Sequence, residues 1–301
     1  MLVQLGGNRW LDASFVDNAI CRSCPVPLQP GIRLIIRISQ NSSLLIDAVV
    51  RLLAYGNQLA ERGVLVTIDF EGGLEKTMGY LDRVGFFDHL DDRVTVLPAR
   101  PEVSGALMFG GGNDGLVEIG AVRSGIDRLP LLDRLVEAVR ISCSGRSDFA
   151  AFEDAMSTIL SELIDNVYEH GGASATGHAA LQRYSGSKSV RVVVSDDGDG
   201  LMQTIRPALG RRDPRFISLG DADLLIEMFR DGLSRIDDRK RGNGLKGCAA
   251  KAIRFNAKLE VRLASQRVSL VPVDGSYGNA YTTTGLMPLK GTHIAFVLPL
   301  V

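Results

Sequence analysis

The sequence lacks an excess of charge of either sign, and it lacks any long hydrophobic run. Its 34 Lys and Arg residues nearly balance 35 Asp and Glu residues, which leaves a formal net charge of −1. Such a balance provides no general attraction to nucleic acid or to an anionic membrane. No uninterrupted apolar stretch approaches the roughly 20 residues that cross a bilayer. We therefore expect neither a nucleic-acid partner nor a membrane span.

Cysteine is also scarce, and its spacing argues against a metal or disulfide framework. Of the four cysteines, Cys21 and Cys24 form a lone CxxC. A zinc site needs a second ligand pair, and none stands at a suitable spacing, so reduced thiols are expected. The segment Met1–Trp10 lacks the basic start and apolar core of a secretory signal, and a cytoplasmic location is the simplest expectation.

Length and composition are those of an ordinary globular protein. The 301 residues are 45% hydrophobic and 23% charged, and this length favours two domains over one. We predict an α/β protein throughout, with a boundary between Val122 and Asp148. The expected domains are an N-terminal regulatory or interaction domain at 1–125 and a second domain at 126–301.

Strand and helix patterns alternate in the first hundred residues. Residues 33–39 are rich in β-branched side chains, and residues 64–70 form a continuous apolar run that predicts a strand buried on both faces. Between them, residues 43–62 repeat apolar side chains at helical spacing, with Ser42 as the expected N-cap and Gly63 as the expected end.

A second helix is predicted at 74–84 and a third strand at 93–97. This strand–helix–strand–helix–strand order over residues 30–100 resembles STAS-like regulatory domains, which are small α/β modules. The glycine cluster at 110–115 lies between two short apolar runs. Such a cluster can cradle phosphate, but in this setting it is more typical of a hairpin turn, and we predict a hairpin over 106–122.

The second half shows longer and clearer patterns. An amphipathic connecting helix is predicted at 127–140, followed by a long helix whose apolar side chains share one face. We expect a second α/β layer structure whose sheet is closed by antiparallel strands at the end. The remaining predicted helices are at 149–170, 221–234 and 243–255, and the predicted strands are at 190–195, 259–263, 268–271 and 293–298.

Four short motifs follow one another in this second half. The first is Glu162-Leu-Ile-Asp-Asn166, where a spacing of four places Glu162 and Asn166 on one helix face, one turn apart. An Asn amide oxygen suits Mg²⁺, and a carboxylate one turn away can orient or deprotonate a water or hydroxyl. The plain alternative is a helix with two polar residues at its solvent edge.

The second motif, Asp196-Asp-Gly-Asp-Gly200, follows a strand directly. A carboxylate at a strand end can accept a hydrogen bond from an exocyclic amino group such as the adenine N6. Gly198 and Gly200 would let the backbone approach a flat ring. Turns rich in Asp and Gly are common, so this motif alone decides little.

The third motif, Gly242-Asn-Gly-Leu-Lys-Gly247, stands where a helix begins. Backbone amides at a helix N-terminus bind phosphate oxygens, and Lys246 either adds a charge there or points to solvent. A charged segment rather than a strand precedes these glycines, which argues against a dinucleotide-binding βαβ unit. A P-loop is absent too, because Gly186-Ser-Lys-Ser lacks the upstream glycine. The last motif, Gly291-Thr292, leads into the final predicted strand.

Together and in this order, the four motifs resemble those of the GHKL ATPase superfamily, named for gyrase, the heat-shock chaperone, histidine kinases and MutL. The resemblance covers residues 148–301 and implies a two-layer α/β sandwich that binds ATP and Mg²⁺. It implies that Asn166 coordinates Mg²⁺, that Asp196 binds the adenine amino group with support from Thr292, and that Gly198 and Gly200 shape the adenine pocket. The residues it implies at the phosphates are Gly242, Gly244, Leu245, Lys246 and Gly247.

The resemblance also implies an ATP lid within residues 202–241, whose basic pairs are Arg211-Arg212 and Arg239-Lys-Arg241. In the gyrase and MutL branches, a Glu at the place of Glu162 is the general base. The histidines are His89, His170, His178 and His293, and none lies on a helical hairpin before the first motif. A self-contained sensor histidine kinase is therefore not expected.

The segment Asn166-Val-Tyr-Glu-His170-Gly171 is also similar to the anti-sigma serine kinase branch, whose members phosphorylate STAS-domain partners. Three functions stay open: an ATP-hydrolysing switch acting on a protein partner or on its own first half, an anti-sigma-type serine/threonine kinase, and a non-hydrolysing nucleotide sensor. Our main expectation is the ATP-hydrolysing switch with Glu162 as its base. A homodimer is compatible with the family, but no part of the sequence marks an interface.

Overall fold

A computed structural model describes residues 1–7, 10–24, 27–73, 76–170, 176–231 and 244–300. In these ranges the N-terminal half forms a parallel sheet with helices, and the C-terminal half forms an antiparallel sheet with helices. The described helices show no stretch that is long and apolar enough to pass through a bilayer.

The elements of the N-terminal half alternate as the pattern predicts, with additional elements before residue 33. In chain order they are β1 (Leu2–Leu5), β2 (Trp10–Leu11), α1 (Ala13–Ser23), β3 (Arg33–Ile38), β4 (Ser43–Leu44), α2 (Ile46–Glu61), β5 (Leu65–Phe70), α3 (Thr77–Arg83), α4 (Phe86–His89), β6 (Thr95–Leu97) and α5 (Gly105–Phe109). Strands β1, β3, β5 and β6 form a four-stranded parallel sheet in the order β1-β3-β5-β6, and β2 pairs with β4.

The C-terminal half contains most of the longer elements. They are β7 (Leu116–Val122), α6 (Leu129–Cys143), α7 (Phe149–His170), β8 (Gly177–Tyr184), β9 (Ser189–Asp196), α8 (Leu201–Arg212), α9 (Arg215–Ser218), α10 (Asp221–Asp231), α11 (Gly244–Arg254), β10 (Lys258–Arg262), β11 (Arg267–Val273), β12 (Ser276–Thr283) and β13 (His293–Pro299). Seven strands form one antiparallel sheet in the order β12-β11-β10-β13-β9-β8-β7.

Three local predictions are wrong. Residues 106–122 do not form a hairpin, because α5 ends at Phe109 and only the second apolar run is a strand. Ser42 does not cap α2; its hydroxyl donates to the Leu5 carbonyl at 3.4 Å, and the N-cap is Leu45. Strand β5 is buried on one face only, since its burial alternates from exposed Leu65 to buried Phe70.

Strand β7 lies before the predicted boundary at residue 125, yet it forms the last strand of the C-terminal sheet by pairing with β8. The two helices predicted at 74–84 and 221–234 are observed as α3 and α10, and residues 74–75 and 232–234 of those predictions lie outside the described residues. The long helix predicted at 149–170 is confirmed with those bounds.

Each face of the seven-stranded sheet has its own cover. Val192 and Val194 of β9 belong to the apolar core under α6, α7, α10 and α11. Val193, on the opposite face of the same strand, belongs to the core of the N-terminal half. Alternating side chains of a strand point to opposite faces, so β9 separates the two cores.

Helix α2 lies between the two sheets, because it packs against β5 on one side and against β8 and β9 on the other. It is therefore buried almost all round, from Ile46 to Ala60. Polar bonds also cross between the halves at its start: the Ile46 amide donates to the Tyr184 hydroxyl at 2.8 Å, and Arg191 Nη1 lies 2.9 Å from Asp47 Oδ2.

Candidate functional site

The described part of the candidate site centres on Asp196, the last residue of β9. Its Oδ1 accepts from the Gly198 amide at 2.9 Å, and its Oδ2 accepts from the Thr292 amide at 3.2 Å. Burial raises the pKa of this carboxyl to about 6, although the two amides act in the opposite direction. Each carboxylate oxygen keeps a lone pair beyond its one amide, so the group can accept a further donor.

Gly291 is required by the close approach of two backbone segments. Its φ is +83°, and a Cβ there would lie 1.9 Å from the Asp196 carbonyl oxygen, which no side chain tolerates. Gly200 has the same φ, and its Cβ would lie 3.1 Å from the Gly291 carbonyl oxygen. These two glycines therefore let the motif after β9 and the motif before β13 pack against each other.

Thr292 joins the same two segments by three hydrogen bonds, the first of which is that from its amide to Asp196 Oδ2. Its carbonyl accepts from the Asp196 amide at 3.0 Å, and its hydroxyl oxygen accepts from the Leu201 amide at 2.8 Å. Leu201 is the first residue of α8, so this hydroxyl satisfies one of the free amides at that helix start. Thr292 thus fixes the geometry of the turn that carries Gly198 and Gly200.

Glu162 and Asn166 lie one turn apart on α7, and both are half-buried. The helix is anchored by its apolar face, which includes Ile159, Leu163 and Ile164. Near its end, Val167 Cγ1 fills the space beside Gly177, where a Cβ would meet it at 2.3 Å and would lie 3.0 Å from the Ser195 carbonyl oxygen. Val167 follows Asn166 in the chain, and Ser195 precedes Asp196. Both therefore contact the start of β8.

Helix α11, which follows the third motif, packs against α7. Lys251 Nζ donates to Asp154 Oδ2 and to Thr158 Oγ1, each at 3.0 Å, and the rings of Phe152 and Phe255 stack edge to face at 5.0 Å. Burial, with a further contribution from the Glu162 carboxylate, raises the pKa of Cys248 to about 12. Glu162 thus lies close to the first turns of α11.

The third motif is described only in part. Helix α11 begins at Gly244, and Asn243, where the helix was predicted to start, lies outside the described residues. Among the described residues, no atom lies within 4 Å of a Cβ built on Gly247. Gly242 lies outside the described residues, as do the side chains of Leu245 and Lys246.

The predicted lid, residues 202–241, is helical in its described part, which holds α8, α9 and α10. Arg206 ties these helices together by donating to the carbonyls of Phe216 and Leu219, each at 2.6 Å. Arg211 and Arg212 lie exposed at the end of α8, and Arg239-Lys-Arg241 lies outside the described residues.

A cavity of about 290 Å³ borders the turn that contains Gly198 and Gly200. It is lined by Gly198 to Gln203, by Pro288 to Gly291, and by Arg62 of the N-terminal half, but by no residue of α7. The turn that carries Asp196 thus has the N-terminal half as a neighbour.

The polar groups on the face of the sheet that meets the N-terminal half were not predicted from the sequence. Arg262 and His293 are fully buried there, as is Asp17 of α1. Period-two alternation in β10 indicates a polar face for Glu260 and Arg262, but a solvated face has the same pattern. All four cysteines are free thiols, and no cluster of three or more metal-ligating side chains occurs within the described ranges.

An antiparallel sheet with helices on one face, and with Asp196 and Thr292 meeting where two central strands end and begin, places the C-terminal half in the class of two-layer α/β sandwiches. Residues 152–301 match the model of the histidine kinase-, DNA gyrase B-, and HSP90-like ATPase family, and this half of the chain belongs to it. Membership of this GHKL family implies ATP binding. No curated protein sequence matches the chain.

Proposed function

We propose that the chain binds Mg-ATP with Asp196 as the acceptor for the adenine amino group and hydrolyses it as a nucleotide-driven conformational switch. The observation that supports this most is the half-buried Asp196 carboxylate, which has one backbone amide on each oxygen and no cation paired with it in the described structure. Such a carboxylate lacks a strong partner, and an amino group donated by a ligand would supply one.

The positions of the glycines, of Thr292 and of the start of α11 suggest their roles at the nucleotide. Gly198 and Gly200 shape the adenine pocket, and Thr292 holds their turn through the Leu201 amide. The first turn of α11, with Gly244, Leu245, Lys246 and Gly247, is proposed to meet the phosphates together with Gly242, which precedes it in sequence, because free amides at a helix N-terminus favour anions.

The residues present fit a magnesium ion that is held mainly by phosphate. Mg²⁺ usually takes one or two protein oxygens and completes its shell with phosphate and water, so a dedicated cluster of carboxylates is not needed. Asn166 offers such an oxygen on the half-buried face of α7. A bound Mg²⁺ would neutralise charge that develops on the phosphates.

Glu162 is the proposed general base. It lies one turn before Asn166, and its charge acts on Cys248 of α11, which supports a position near both the proposed metal ligand and the proposed phosphate site. A carboxylate there would accept the proton of a water that attacks the terminal phosphate.

The regulatory role of the N-terminal half belongs to the same proposal. Its parallel sheet with intervening helices is compatible with a STAS-like module, and α2 contacts the strands that lead to Asp196. We propose residues 1–125 as this regulatory part and 126–301 as the ATP-binding domain. Strand β7 lies in the first range by sequence but pairs with β8 of the C-terminal sheet.

Turnover of Mg-ATP by the wild type and by Glu162→Ala tests the proposal. We expect phosphate release by the wild type, a loss of at least about a hundredfold in Glu162→Ala, and unchanged nucleotide affinity in that variant. Asn166→Ala should bind Mg-ATP no better than magnesium-free ATP. Equal turnover in Glu162→Ala would contradict the assignment of the base.

Two other outcomes would replace hydrolysis by another function. Transfer of the labelled phosphate to a protein would indicate an anti-sigma-type kinase. Tight binding without turnover or transfer would indicate a nucleotide sensor.

A further inference from the structure

We infer that Gln58, in helix α2 of the N-terminal half, is a positioning residue for the adenine end of the nucleotide site. Its side chain holds the backbone of Lys290, which directly precedes Gly291 and Thr292. This inference rests on the proposed function, since it assigns a control of nucleotide affinity to the N-terminal half.

The Gln58 amide uses both of its ends on one residue. Its Nε2 donates to the Lys290 carbonyl at 3.1 Å, and its Oε1 accepts from the Lys290 amide at 2.7 Å. The side chain is only 4% exposed, so water cannot replace these bonds without a rearrangement. Gln58 therefore pairs with Lys290 much as a neighbouring strand would.

The Lys290 carbonyl also connects α2 to the end of β9. It accepts a second hydrogen bond, from His293 Nε2 at 3.1 Å, and His293 Nδ1 accepts from the Ser195 hydroxyl. Burial, together with Arg51 and Arg262, holds the pKa of His293 well below its usual value, so the ring is neutral and keeps one donor and one acceptor. Ser195 directly precedes Asp196.

Gly291 and Thr292, which follow Lys290, are packed too closely on Asp196 to move independently of it. Gly291 packs so closely on the Asp196 carbonyl that a Cβ does not fit, and the Thr292 amide donates to Asp196 Oδ2. Close-packed groups transmit a shift rather than absorb it. A displacement of Lys290 would therefore change the orientation of the Asp196 carboxylate.

The end of α2 makes further contacts with the same segment. Arg62 Nη1 donates to the Pro288 carbonyl at 3.2 Å, and Lys290 Nζ lies 3.7 Å from Glu61 Oε2. The last pair is more than half exposed on both sides and contributes little. Gln58 is the buried contact of this group, and it is the one that faces the backbone just before Gly291.

Movement of α2 should consequently alter nucleotide affinity, and nucleotide binding should stabilise one position of α2 to the same extent. A ligand or protein that binds the N-terminal sheet could act through this route, because α2 packs against β5 on its other side.

Asn57, the neighbouring residue, provides a matched control. Its Nδ2 donates to the His89 carbonyl at 2.9 Å, and its Oδ1 accepts from the Asp91 amide at 2.8 Å. It thus makes the same kind of bidentate backbone contact, but within the N-terminal half. Gln58→Met and Asn57→Leu each remove two such bonds while keeping the side-chain volume roughly constant.

The experiment is calorimetric titration of the full chain with Mg-ATP and Mg-ADP at a temperature where all variants are folded. We expect Gln58→Met to raise Kd roughly tenfold for both nucleotides, since they share the adenine end, and Asn57→Leu to leave Kd unchanged despite a similar loss of stability. Should Gln58→Met fail to fold, Gln58→Leu, which also removes both bonds and adds no buried charge, should show the same rise.

Equal Kd values in the wild type and the Gln58 variants would overturn the inference and leave the proposed function intact. An equal rise in the Asn57 variant would also overturn it, because the effect would then reflect general destabilisation. A wild type that binds no nucleotide would overturn the proposed function itself, and this inference with it.

Discussion

The two faces of the seven-stranded sheet differ in chemistry although the same strands form both. Toward α7 and α11, β10 presents Leu259 and Val261, which lie in a continuous apolar core. Toward the N-terminal half, the same strand presents Glu260 and Arg262. The first face is therefore stabilised mainly by removal of apolar surface from water, whereas the second combines apolar packing with buried paired charges.

The charges on the second face gather around Asp17. Arg51 Nη1 lies 2.6 Å from its carboxylate, while Arg262 Nε and Arg267 Nη1 each lie 3.3 Å from it. The Tyr55 hydroxyl donates to the same group at 2.9 Å. Burial alone would raise the pKa of Asp17, but the arginines hold it below its usual value.

The buried charges explain how the arrangement of the two halves is specified. Apolar side chains accept many packings of similar energy, whereas a buried charge is tolerated only where its partners stand. Two of the three arginines come from the C-terminal sheet, and the carboxylate comes from α1. The polar face thus requires the N-terminal half to be in place, and the apolar face does not.

The largest expected effect is that of Asp17→Asn. The change leaves three buried guanidinium groups without their shared anion, so we expect a loss of about 3–5 kcal/mol in the free energy of unfolding. Urea denaturation followed by far-ultraviolet circular dichroism measures it.

Asp69→Asn is the control, because Asp69 pairs with Arg37 at the surface, where both side chains are partly exposed. It should cost less than about 1 kcal/mol. A cost below about 1 kcal/mol for Asp17→Asn as well would remove the distinction between the two faces.

A smaller effect is expected from Glu260→Gln. Burial raises the pKa of Glu260 to about 7, although Arg51 and Arg267 act against this. Because the folded-state pKa lies above the ordinary value of 4.5, the folded protein binds more protons, and Glu260 lowers stability as the pH rises through this window.

Replacing Glu260 by Gln should therefore stabilise the protein above pH 7, by an amount on the order of 2 kcal/mol, and change little near pH 4. Thermal unfolding of both proteins across this range measures the difference. Parallel pH profiles for the two proteins would contradict the assignment.

The apolar face was easier to predict from sequence than the polar one. Helix α7 and strands β9 and β13 have strong periodicity, and their predicted positions are confirmed. Strands β8 and β12 went unpredicted. Their sequences contain Gly, Gln, Ser and Asn at several positions, and their pairing partners rather than local propensity decide their structure.

For the candidate site, too, local motifs could be recognised in the sequence, but long-range contacts could not. The motifs predict which residues belong to the nucleotide site, and the contacts among Asp196, Gly291 and Thr292 agree with their order. Neither the contact of Gln58 with Lys290, 232 residues away, nor the cluster around Asp17 has a local pattern. Such contacts depend on how two sheets pack, which periodicity does not report.

The proposed role of Asp196 as the acceptor for the adenine amino group can be tested by calorimetric titration. The wild type and Asp196→Asn are titrated with Mg-ATP at pH 7.5 and pH 5.5. Because the pKa of Asp196 is about 6, its acceptor form is present at the higher pH and mostly protonated at the lower one.

We therefore expect one ATP per chain for the wild type, weaker binding at pH 5.5, and at least a roughly tenfold higher Kd for Asp196→Asn at pH 7.5. Equal affinity of the variant and the wild type at pH 7.5, or no binding by the wild type, would contradict the claim.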